Sequence, residues 1–268
     1  MQILETINTI ARAAEGFAAH GKHPYTSAVI LAGGIGSRMA VSDKQKQEAG
    51  AVTKQFFSLG GEPVILRTVR MFEECPVIDE IVLVIREEER ALYAPMLSRE
   101  EITKVKKIVA GGETRQDSAY QGLLAVDRDC AFIAIHDGAR PLITPEQITA
   151  VAREAYRIGA AAAASRVKDT VKITEGAGYV KETPDRTQVW AASTPQIFKV
   201  EEYRASVYLG REKKLSVTDD CGLVEAVGFP VKLVDIGYQN LKITTREDLY
   251  FADAILKMRR DAESDEKA

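Results

Sequence analysis

A glycine-rich turn behind a short apolar strand is the first segment whose residues could do chemistry. The run Ala28–Leu31 leads into Gly33, Gly34 and Gly36, and Arg38 follows them. Glycine lets a backbone approach a ligand closely and adopt positive φ, so that successive N–H groups converge on phosphate oxygens. With the charge of Arg38 beside them, these residues predict a seat for a triphosphate. A tight turn between a strand and a helix would also need glycine, for steric reasons alone.

The spacing excludes the two commonest glycine-rich nucleotide motifs. A P-loop ends in Gly-Lys-Ser or Gly-Lys-Thr, and a dinucleotide fingerprint carries a third glycine or an alanine where Met39 stands. The turn is therefore predicted to bind phosphate in a different structural setting.

Two further polar loops follow predicted strands. Gly111–Ser118 comes after Lys107–Ala110, and His136–Pro141 comes after Phe132–Ile135. Ligands in open α/β sheets bind beyond the carboxyl ends of the strands, so we expect the three loops to meet in one crevice. We assign His136 a structural role, because a lone histidine at a strand end is more often a satisfied buried residue.

The elements that must position these loops are legible from the apolar pattern. Short apolar runs alternate with segments of helical period, which predicts an α/β fold with a mostly parallel, Rossmann-like sheet and helices on both faces. Thr144 with Gln147, and Thr245 with Asp248, have the spacing of helix N-caps. The predicted strands are Ala28–Ala32, Ile81–Ile85, Lys107–Ala110, Phe132–Ile135, Ala160–Ser165 and Val231–Val234.

Three segments divide the chain. Residues 1–26 are predicted to form a helical extension that ends at Pro24, packs on the main body and, as an alternative, binds a partner. Residues 27–260 form the main domain, whose final helix is predicted over Thr245–Arg260. Residues 261–268 are a charged tail.

The stretch from about residue 166 to residue 190 breaks the alternation of strands and helices. Val167–Lys172 is strand-like, Glu175–Gly178 is a turn, and Tyr179 begins a return strand. This pattern predicts a projecting hairpin arm. A two-stranded arm is only marginally stable in water, so it should pack on something, which could be its own chain or another subunit.

Composition restricts the classes of function. The chain has 268 residues, 46% of them apolar and 28% charged, as in ordinary globular proteins. A net charge of -3 provides no general basic field, so nucleic acid is not an expected partner. Cys75, Cys130 and Cys221 form no CxxC pair, and no apolar run of about 18 residues or signal peptide is evident. A cytoplasmic protein that does not enter a membrane is therefore expected.

At this point the sequence resembles the 2-C-methyl-D-erythritol 4-phosphate cytidylyltransferases of isoprenoid biosynthesis, over roughly Ser27 to Arg260. So many short motifs in the same order make a chance match remote. The motifs are Ala32–Met39, Lys54–Phe56, Gly111–Arg115, His136–Pro141, Val167–Lys172, Asp185–Arg186, Trp190, Thr194–Gln196, Thr218–Asp220 and Asn240–Thr244.

The resemblance implies that CMP is transferred from CTP to a polyol phosphate, with release of pyrophosphate. Both reactants are anions, so the reaction needs concentrated positive charge and positioning more than an acid or a base. Arg38 and Lys54 would neutralise the triphosphate, and Lys242 would act at the pentacoordinate phosphorus. Arg186 would reach the substrate phosphate across a homodimer interface formed by the arm. Mg²⁺ is the implied cofactor, with no protein ligand assigned to it.

The same resemblance assigns the binding residues. The nucleotide would contact Ala32, Gly33, Gly34, Gly36, Gly112, Glu113 and Ser118. The polyol phosphate would contact Asp137, Arg140, Thr170, Thr194, Thr218 and Thr244. Structural readings stay open beside these roles, since the cations could be solvated surface charges and the glycines could only form turns.

Two departures from the family pattern bear on these assignments. Fifteen residues separate Arg38 from Lys54, and Thr53 replaces the proline expected before Lys-Gln. Lys44 and Lys46 are competing lysines within this insertion, which reads as a polar flap over Ala40–Val52. The sequence downstream of Lys54 favours Lys54. Alternatives left open are a ribitol 5-phosphate or other polyol-phosphate cytidylyltransferase, and a non-catalytic nucleotide-binding regulatory protein.

Overall fold

A computed structural model of the protein describes residues 23–34 and 54–265. Several predicted features lie outside these ranges: the extension up to residue 22, Gly36, Arg38 and the insertion Ala40–Val52 with its two lysines. The backbone of Lys54 lies within them, in a 3-10 turn over Lys54–Phe56.

The centre of the molecule is a seven-stranded sheet in the order β11-β7-β10-β6-β1-β4-β5. All neighbouring strands run parallel except β10, which is antiparallel to both β6 and β7. The strands of this sheet are β1 (Thr26–Leu31), β4 (Glu80–Ile85), β5 (Val105–Ala110), β6 (Phe132–Asp137), β7 (Ala160–Arg166), β10 (Trp190–Lys199) and β11 (Lys232–Asp235).

Helices cover both faces of this sheet. In β1 the side chains of Ala28 and Ile30 join one core, and those of Val29 and Leu31 join the other. This alternation is what a strand buried on both faces requires. The helices are α1 (Val64–Glu73), α2 (Arg90–Arg99), α3 (Arg115–Ala125), α4 (Pro145–Ile158), α5 (Val200–Glu212), α6 (Asp220–Ala226) and α7 (Arg246–Asp265).

The two cores divide the helices between the faces. Helices α1, α2 and α4 pack on one face, while α3, α5 and α6 pack on the other. A smaller cluster joins α7 to a two-stranded hairpin of β2 (Ser58–Leu59) and β3 (Glu62–Pro63) through Leu59, Val64 and Ala252. The predicted α/β fold with a mostly parallel sheet is confirmed.

Helix starts follow the predicted capping chemistry. Thr144 and Gln147 form a complete capping box at the start of α4. At α7, one carboxylate oxygen of Asp248 accepts hydrogen bonds from the N–H groups of Thr244 and Thr245 and from the hydroxyl of Thr244. The helix continues to Asp265, so the predicted helix end at Arg260 was wrong and much of the charged tail is helical.

The arm also differs from its prediction. Its strands are β8 (Ile173–Thr174) and β9 (Val180–Glu182), so the strand predicted over Val167–Lys172 was wrong. The backbone of that stretch bonds elsewhere: the Arg186 guanidinium donates to the Lys168 carbonyl, and the Val167 N–H donates to the Val189 carbonyl. The strands therefore pair only close to the turn.

Strand β10 was missing from the prediction. Its sequence Trp190–Lys199 carries Ser193, Thr194, Pro195 and Gln196 in its middle, so no apolar run marks it. The pairing with β7 shifts register between Ala192 and Gln196, at that polar stretch. Within the two described ranges, no helix has both the length and the apolar character that crossing a bilayer would need.

Candidate active site

A cavity of about 590 Å³ lies beyond the carboxyl ends of β1, β4, β5 and β6. A second cavity of about 600 Å³ lies between the β2–β3 hairpin and α7, away from those strand ends. The first is the candidate site, because parallel strands and their loops deliver the polar groups there. Its walls include Gly33, Gly34, Gln55, Arg86, Gly112, Glu113, Arg115, Ser118, Asp137 and Lys242.

One wall is the loop between β5 and α3. The Ser118 hydroxyl accepts a hydrogen bond from the Gly112 N–H at 3.2 Å and donates to the Thr114 carbonyl at 3.0 Å. Thr114 in turn caps α3 by accepting from the Asp117 N–H at 3.0 Å. A side chain at Gly112 would overlap the Cβ of Asp117, so only glycine lets the loop fold this tightly on the helix.

Asp137, the last residue of β6, is the centre of the charges in the cavity. Its Oδ1 accepts from Arg115 Nε at 3.1 Å, and its Oδ2 accepts from Lys242 Nζ at 2.8 Å. The Nε of Arg140 lies 3.5 Å from the same Oδ2. We call these four residues the Asp137 cluster. One carboxylate is therefore shared by three cations at this wall of the cavity.

The ionisation of the cluster follows from this geometry. Burial alone would raise the pKa of Asp137, but Arg115 and Lys242 beside it hold that pKa well below its usual range. Burial opposes the charge of Arg115 as well, yet Asp220 and Asp137 raise its pKa above the ordinary arginine value. The pKa of Arg140 is lowered, mainly by burial. The carboxylate and Arg115 stay charged across the physiological range.

A second set of contacts holds the cluster in place. The Arg140 Nη1 donates to the Asn240 carbonyl at 2.8 Å, and the Asn240 amide donates to the Thr194 carbonyl at 2.7 Å. The Thr194 hydroxyl accepts from the Asp137 N–H at 3.0 Å. Thr194 is buried behind the carboxylate, so it links β10 to the end of β6.

Lys242 reaches the cavity because its segment is bonded to the loop after β6. The Ile243 N–H donates to the Ala139 carbonyl at 2.8 Å, which places Lys242 alongside Asp137. The prediction that these two residues share a site thus corresponds to a direct contact, although they are 105 positions apart.

His136 is fully buried and packs 4.8 Å, between ring centroids, from Phe72. Burial lowers the pKa of His136 to about 3. The imidazole is therefore neutral at physiological pH, and its Nε2 lies 3.3 Å from the Arg140 carbonyl. This environment agrees with a structural role.

Besides Arg140 and Thr194, which lie beside and behind Asp137, five predicted residues within the described ranges do not line this cavity. Thr170 and Arg186 are exposed on the arm segment, and Thr218 is exposed just before α6. Thr244 uses its N–H and its hydroxyl to bond Asp248 at the start of α7. Ala32 is buried, and its N–H donates to the Val84 carbonyl at 2.6 Å.

Sequence reasoning missed Arg115 as a site residue. Its Nη1 also donates to Asp220 Oδ2 at 2.6 Å, so it bridges the carboxylates at the end of β6 and the start of α6. The signal was present, because Arg115 stands in the same loop motif as Gly112 and Glu113, and Asp220 stands in the Thr218–Asp220 motif. The sequence does not show which charged side chains contact one another.

The cavity offers little to a metal ion directly. In the part of the chain that the structure describes, no three His, Cys, Asp or Glu side chains are placed to hold a cation together. Both Asp137 oxygens face cations. Magnesium prefers oxygen ligands, which nucleotide phosphates and water supply readily. The donor set therefore suits a metal that arrives with a nucleotide.

Comparison with known proteins gives the family. Residues 26–258 match the family model described as IspD: 2-C-methyl-D-erythritol 4-phosphate cytidylyltransferase. The protein of that name from Desulforamulus reducens is 43% identical over 233 residues, covering 87% of this chain and 96% of the relative. The one from Geobacillus kaustophilus is 41% identical over 232 residues, with 87% and 97% covered.

Solved structures agree with this assignment. The 4-diphosphocytidyl-2C-methyl-D-erythritol synthase of Anaerococcus prevotii superposes with a TM-score of 0.76 at 31% identity, covering 88% of this chain and 97% of its own. The Thermus thermophilus cytidylyltransferase gives 0.68 at 27% identity, with 87% and 99% covered. The chain therefore belongs to the 2-C-methyl-D-erythritol 4-phosphate cytidylyltransferase family, the nucleotidyltransferases of isoprenoid biosynthesis that bear that name.

Proposed function

We propose that the cavity beside the Asp137 cluster binds CTP and 2-C-methyl-D-erythritol 4-phosphate, and that the acceptor phosphate attacks the α-phosphorus of CTP there. A bond forms between an acceptor phosphate oxygen and the α-phosphorus, and the bond to the leaving pyrophosphate breaks. The observation that carries this proposal is the cluster itself: three cations around one carboxylate, at the wall that also holds the glycine loops.

The nucleotide would lie along the loops after β1 and β5. Gly33 and Gly34 line the cavity, and a Cβ at Gly34 would come within 4 Å of no atom of the described residues, which leaves its backbone open to a phosphate on that side. Gly112, Glu113 and Ser118 would contact cytosine and ribose from the opposite loop. The remaining nucleotide contacts would come from Ala32, Gly36, Arg38 and Lys54.

The acceptor would lie nearer to Asp137. The Asp137 carboxylate would accept hydrogen bonds from the hydroxyl groups of the acceptor. Arg140 would hold the loop, and Lys242 would face the reacting phosphorus. The acceptor phosphate is already an anion at neutral pH, so its attack needs no general base, and the neutral His136 is consistent with this. Concentrated positive charge lowers the barrier by offsetting repulsion between the two anions.

Mg²⁺ would enter with CTP and take its oxygens from phosphates and water. When bound, it would neutralise charge on the leaving pyrophosphate. The arm would contribute Thr170 and Arg186 to the site of a second subunit in a homodimer. In support, two large apolar residues near the arm's turn are exposed in the single chain, Tyr179 at 76% and Val180 at 56%. A partner subunit would cover such residues. Thr194, Thr218 and Thr244 complete the proposed acceptor contacts.

A cytoplasmic location belongs to the same proposal. Cys75, Cys130 and Cys221 are all free and buried, as expected for thiols in a reducing compartment.

Pyrophosphate release tests the proposed function. Purified protein with CTP and Mg²⁺ is given methylerythritol phosphate, ribitol 5-phosphate or no acceptor. We expect release with methylerythritol phosphate and little with the other two. Preferred release with ribitol 5-phosphate would identify a different polyol-phosphate enzyme, and CTP binding without release would identify a regulatory protein.

The choice of lysine has its own test. We expect Lys54→Ala to lose turnover while it keeps the wild-type circular dichroism spectrum and melting temperature. Lys44→Ala and Lys46→Ala are the matched controls and should stay active. Full activity of Lys54→Ala together with an inactive Lys44→Ala or Lys46→Ala would show that a lysine of the insertion takes this role.

A further inference from the structure

A line of buried groups runs from the Asp137 cluster into the core. The Tyr203 hydroxyl donates to Asp220 Oδ1 at 2.6 Å, and Arg115 Nη1 donates to Asp220 Oδ2 at 2.6 Å. Arg115 Nε then donates to Asp137 Oδ1 at 3.1 Å. Tyr203 is 0% exposed and Asp220 is 1% exposed, so water cannot replace these partners.

We propose that Tyr203, Asp220 and Arg115 form a positioning chain that fixes the Asp137 carboxylate for the acceptor polyol. The inference rests on the proposed function, because it assigns a task to groups behind the same site. Tyr203 and Asp220 are positioning residues, since Arg115 and Asp137 stand between them and the cavity.

The first argument is that the two Asp137 oxygens have different partners. Arg115 takes Oδ1, and Lys242 and Arg140 approach Oδ2. A carboxylate can rotate about its last bond, so a partner fixed on one oxygen determines where the other points. Oδ2 is therefore the oxygen that meets the acceptor hydroxyls, next to the Lys242 ammonium.

The second argument is that Arg115 is itself held from behind. An arginine side chain has several rotatable bonds, and its ordering is costly unless contacts fix it. Asp220 supplies such a contact, and its own position is set by Tyr203 and by Gln196, whose side-chain oxygen accepts from the Asp220 N–H at 3.0 Å. The Asp220 carboxylate thus has a defined partner on each oxygen.

The third argument concerns stability. A buried ion pair such as Arg115 with Asp220 often stabilises a fold no better than apolar residues of the same size. Here the chain ends at the cavity wall, where the Arg115 side chain is still 30% exposed. A network that emerges at the site is suited to holding a reactive geometry, in the way that supporting contacts hold catalytic side chains.

Tyr203→Phe is the sharpest test. It removes one hydroxyl and keeps the ring that stacks on Phe198, with centroids 5.1 Å apart. We expect kcat/KM for methylerythritol phosphate to fall by about ten- to a hundredfold, the range for losing a hydrogen bond to a charged group. The KM for CTP should stay within about twofold, since the Tyr203 hydroxyl bonds Asp220 and none of the residues assigned to the nucleotide. Tyr208→Phe, on the same helix but 72% exposed, is the matched control and should behave as wild type.

Arg115→Ala provides a second, independent readout. Millimolar guanidinium chloride should restore part of its lost activity, whereas the same concentration of sodium chloride should not. Such rescue would not occur if the side chain only supported the fold.

The outcomes separate the two claims. A wild-type protein without acceptor-dependent pyrophosphate release contradicts the proposed function itself. An active wild type with an unchanged Tyr203→Phe overturns the positioning chain alone. Parallel losses toward both substrates in Tyr203→Phe, or no guanidinium rescue of a folded Arg115→Ala, would overturn it as well.

Discussion

At the scale of single residues, the Asp137 cluster is defined by cations that gather around a carboxylate. Asp137 is nearly buried, and three cations surround it, while Asp220 pairs with one of them, Arg115, so the cations of this cluster outnumber the carboxylates that they contact. Such an arrangement suits two anionic substrates, because their mutual repulsion is the main obstacle to reaction. Within the cluster, replacing Lys242 is the simplest way to remove one of these positive charges.

We predict that Lys242→Met lowers kcat about a hundred- to a thousandfold, the usual cost of one charge-stabilising group in a site. The melting temperature should change little, because this side chain is 36% exposed. Lys232→Met, an exposed lysine on β11, is the control and should leave pyrophosphate release unchanged. A Lys242→Met variant with near wild-type kcat would remove Lys242 from the mechanism.

A second prediction concerns pH. The pKa of His136 is about 3 when folded and about 6.5 when unfolded, so between these values the unfolded chain binds the extra proton. Stability is therefore lost as pH falls below about 6.5. Between pH 7 and pH 5, wild type should lose about 2 kcal/mol more unfolding free energy than His136→Gln, as measured by urea denaturation. Equal losses would mean that His136 does not stay neutral in the fold.

The motifs predicted that Asp137, Arg140 and Lys242 share a site, and in the structure both cations lie beside Asp137, while their roles stay predictions. The motifs could not show which cation faces which carboxylate oxygen, because that depends on loop paths joining positions far apart in sequence. Arg115 was missed for this reason: its contacts to Asp137 and Asp220 span 22 and 105 positions. For Arg38 the prediction stands on sequence alone.

At the scale of elements, β10 ties the site together. Within this strand, Gln196 accepts from the N–H groups of Asp220 and Cys221 and donates to Asp219 Oδ2 at 2.8 Å. One amide thus fixes the start of α6, from which Asp220 reaches Arg115. A glutamate at position 196 could still accept these hydrogen bonds. It could not donate one, and its charge would lie beside those of two aspartates.

We therefore predict that Gln196→Glu lowers the unfolding free energy by about 2 kcal/mol at pH 7, since a buried donor is replaced by a repelled charge. Gln121→Glu makes the same chemical change at an exposed position of α3, where the effect should be within about 0.5 kcal/mol. Chemical denaturation of both variants checks this. Equal stability of the two would show that Gln196 does not fix the start of α6.

The elements themselves were only partly predictable. Apolar strands buried on both faces, such as β1 and β4, stand out because all their residues except Glu80 at the start of β4 are hydrophobic or small. Strand β10 did not stand out, since its inner half carries polar groups that bond to the site. The arm was predicted as a hairpin, but its strand positions were displaced because exposed strands have no buried face to fix their register.

At the scale of the whole molecule, the sheet and its two helical layers bring the loops of distant segments to one edge. In the proposed homodimer, the arm would bring Arg186 to the site of the partner subunit. Arg186→Ala and Lys242→Met should each be inactive alone. Mixed and refolded together, they should recover about a quarter of wild-type activity, because half the dimers are mixed and each has one intact site. No recovery, with mixed dimers present by native mass spectrometry, would place Arg186 in its own chain's site.

The central claim is that the acceptor phosphate attacks the α-phosphorus of CTP at the wall formed by Asp137, Arg115 and Lys242. Its most direct test follows radioactive phosphorus from CTP labelled at the α or the γ position, with methylerythritol phosphate and Mg²⁺. The account predicts that the α label appears in the cytidine diphosphate polyol and the γ label in pyrophosphate. A γ label on the polyol product, or an α label found only in free CMP, would contradict it.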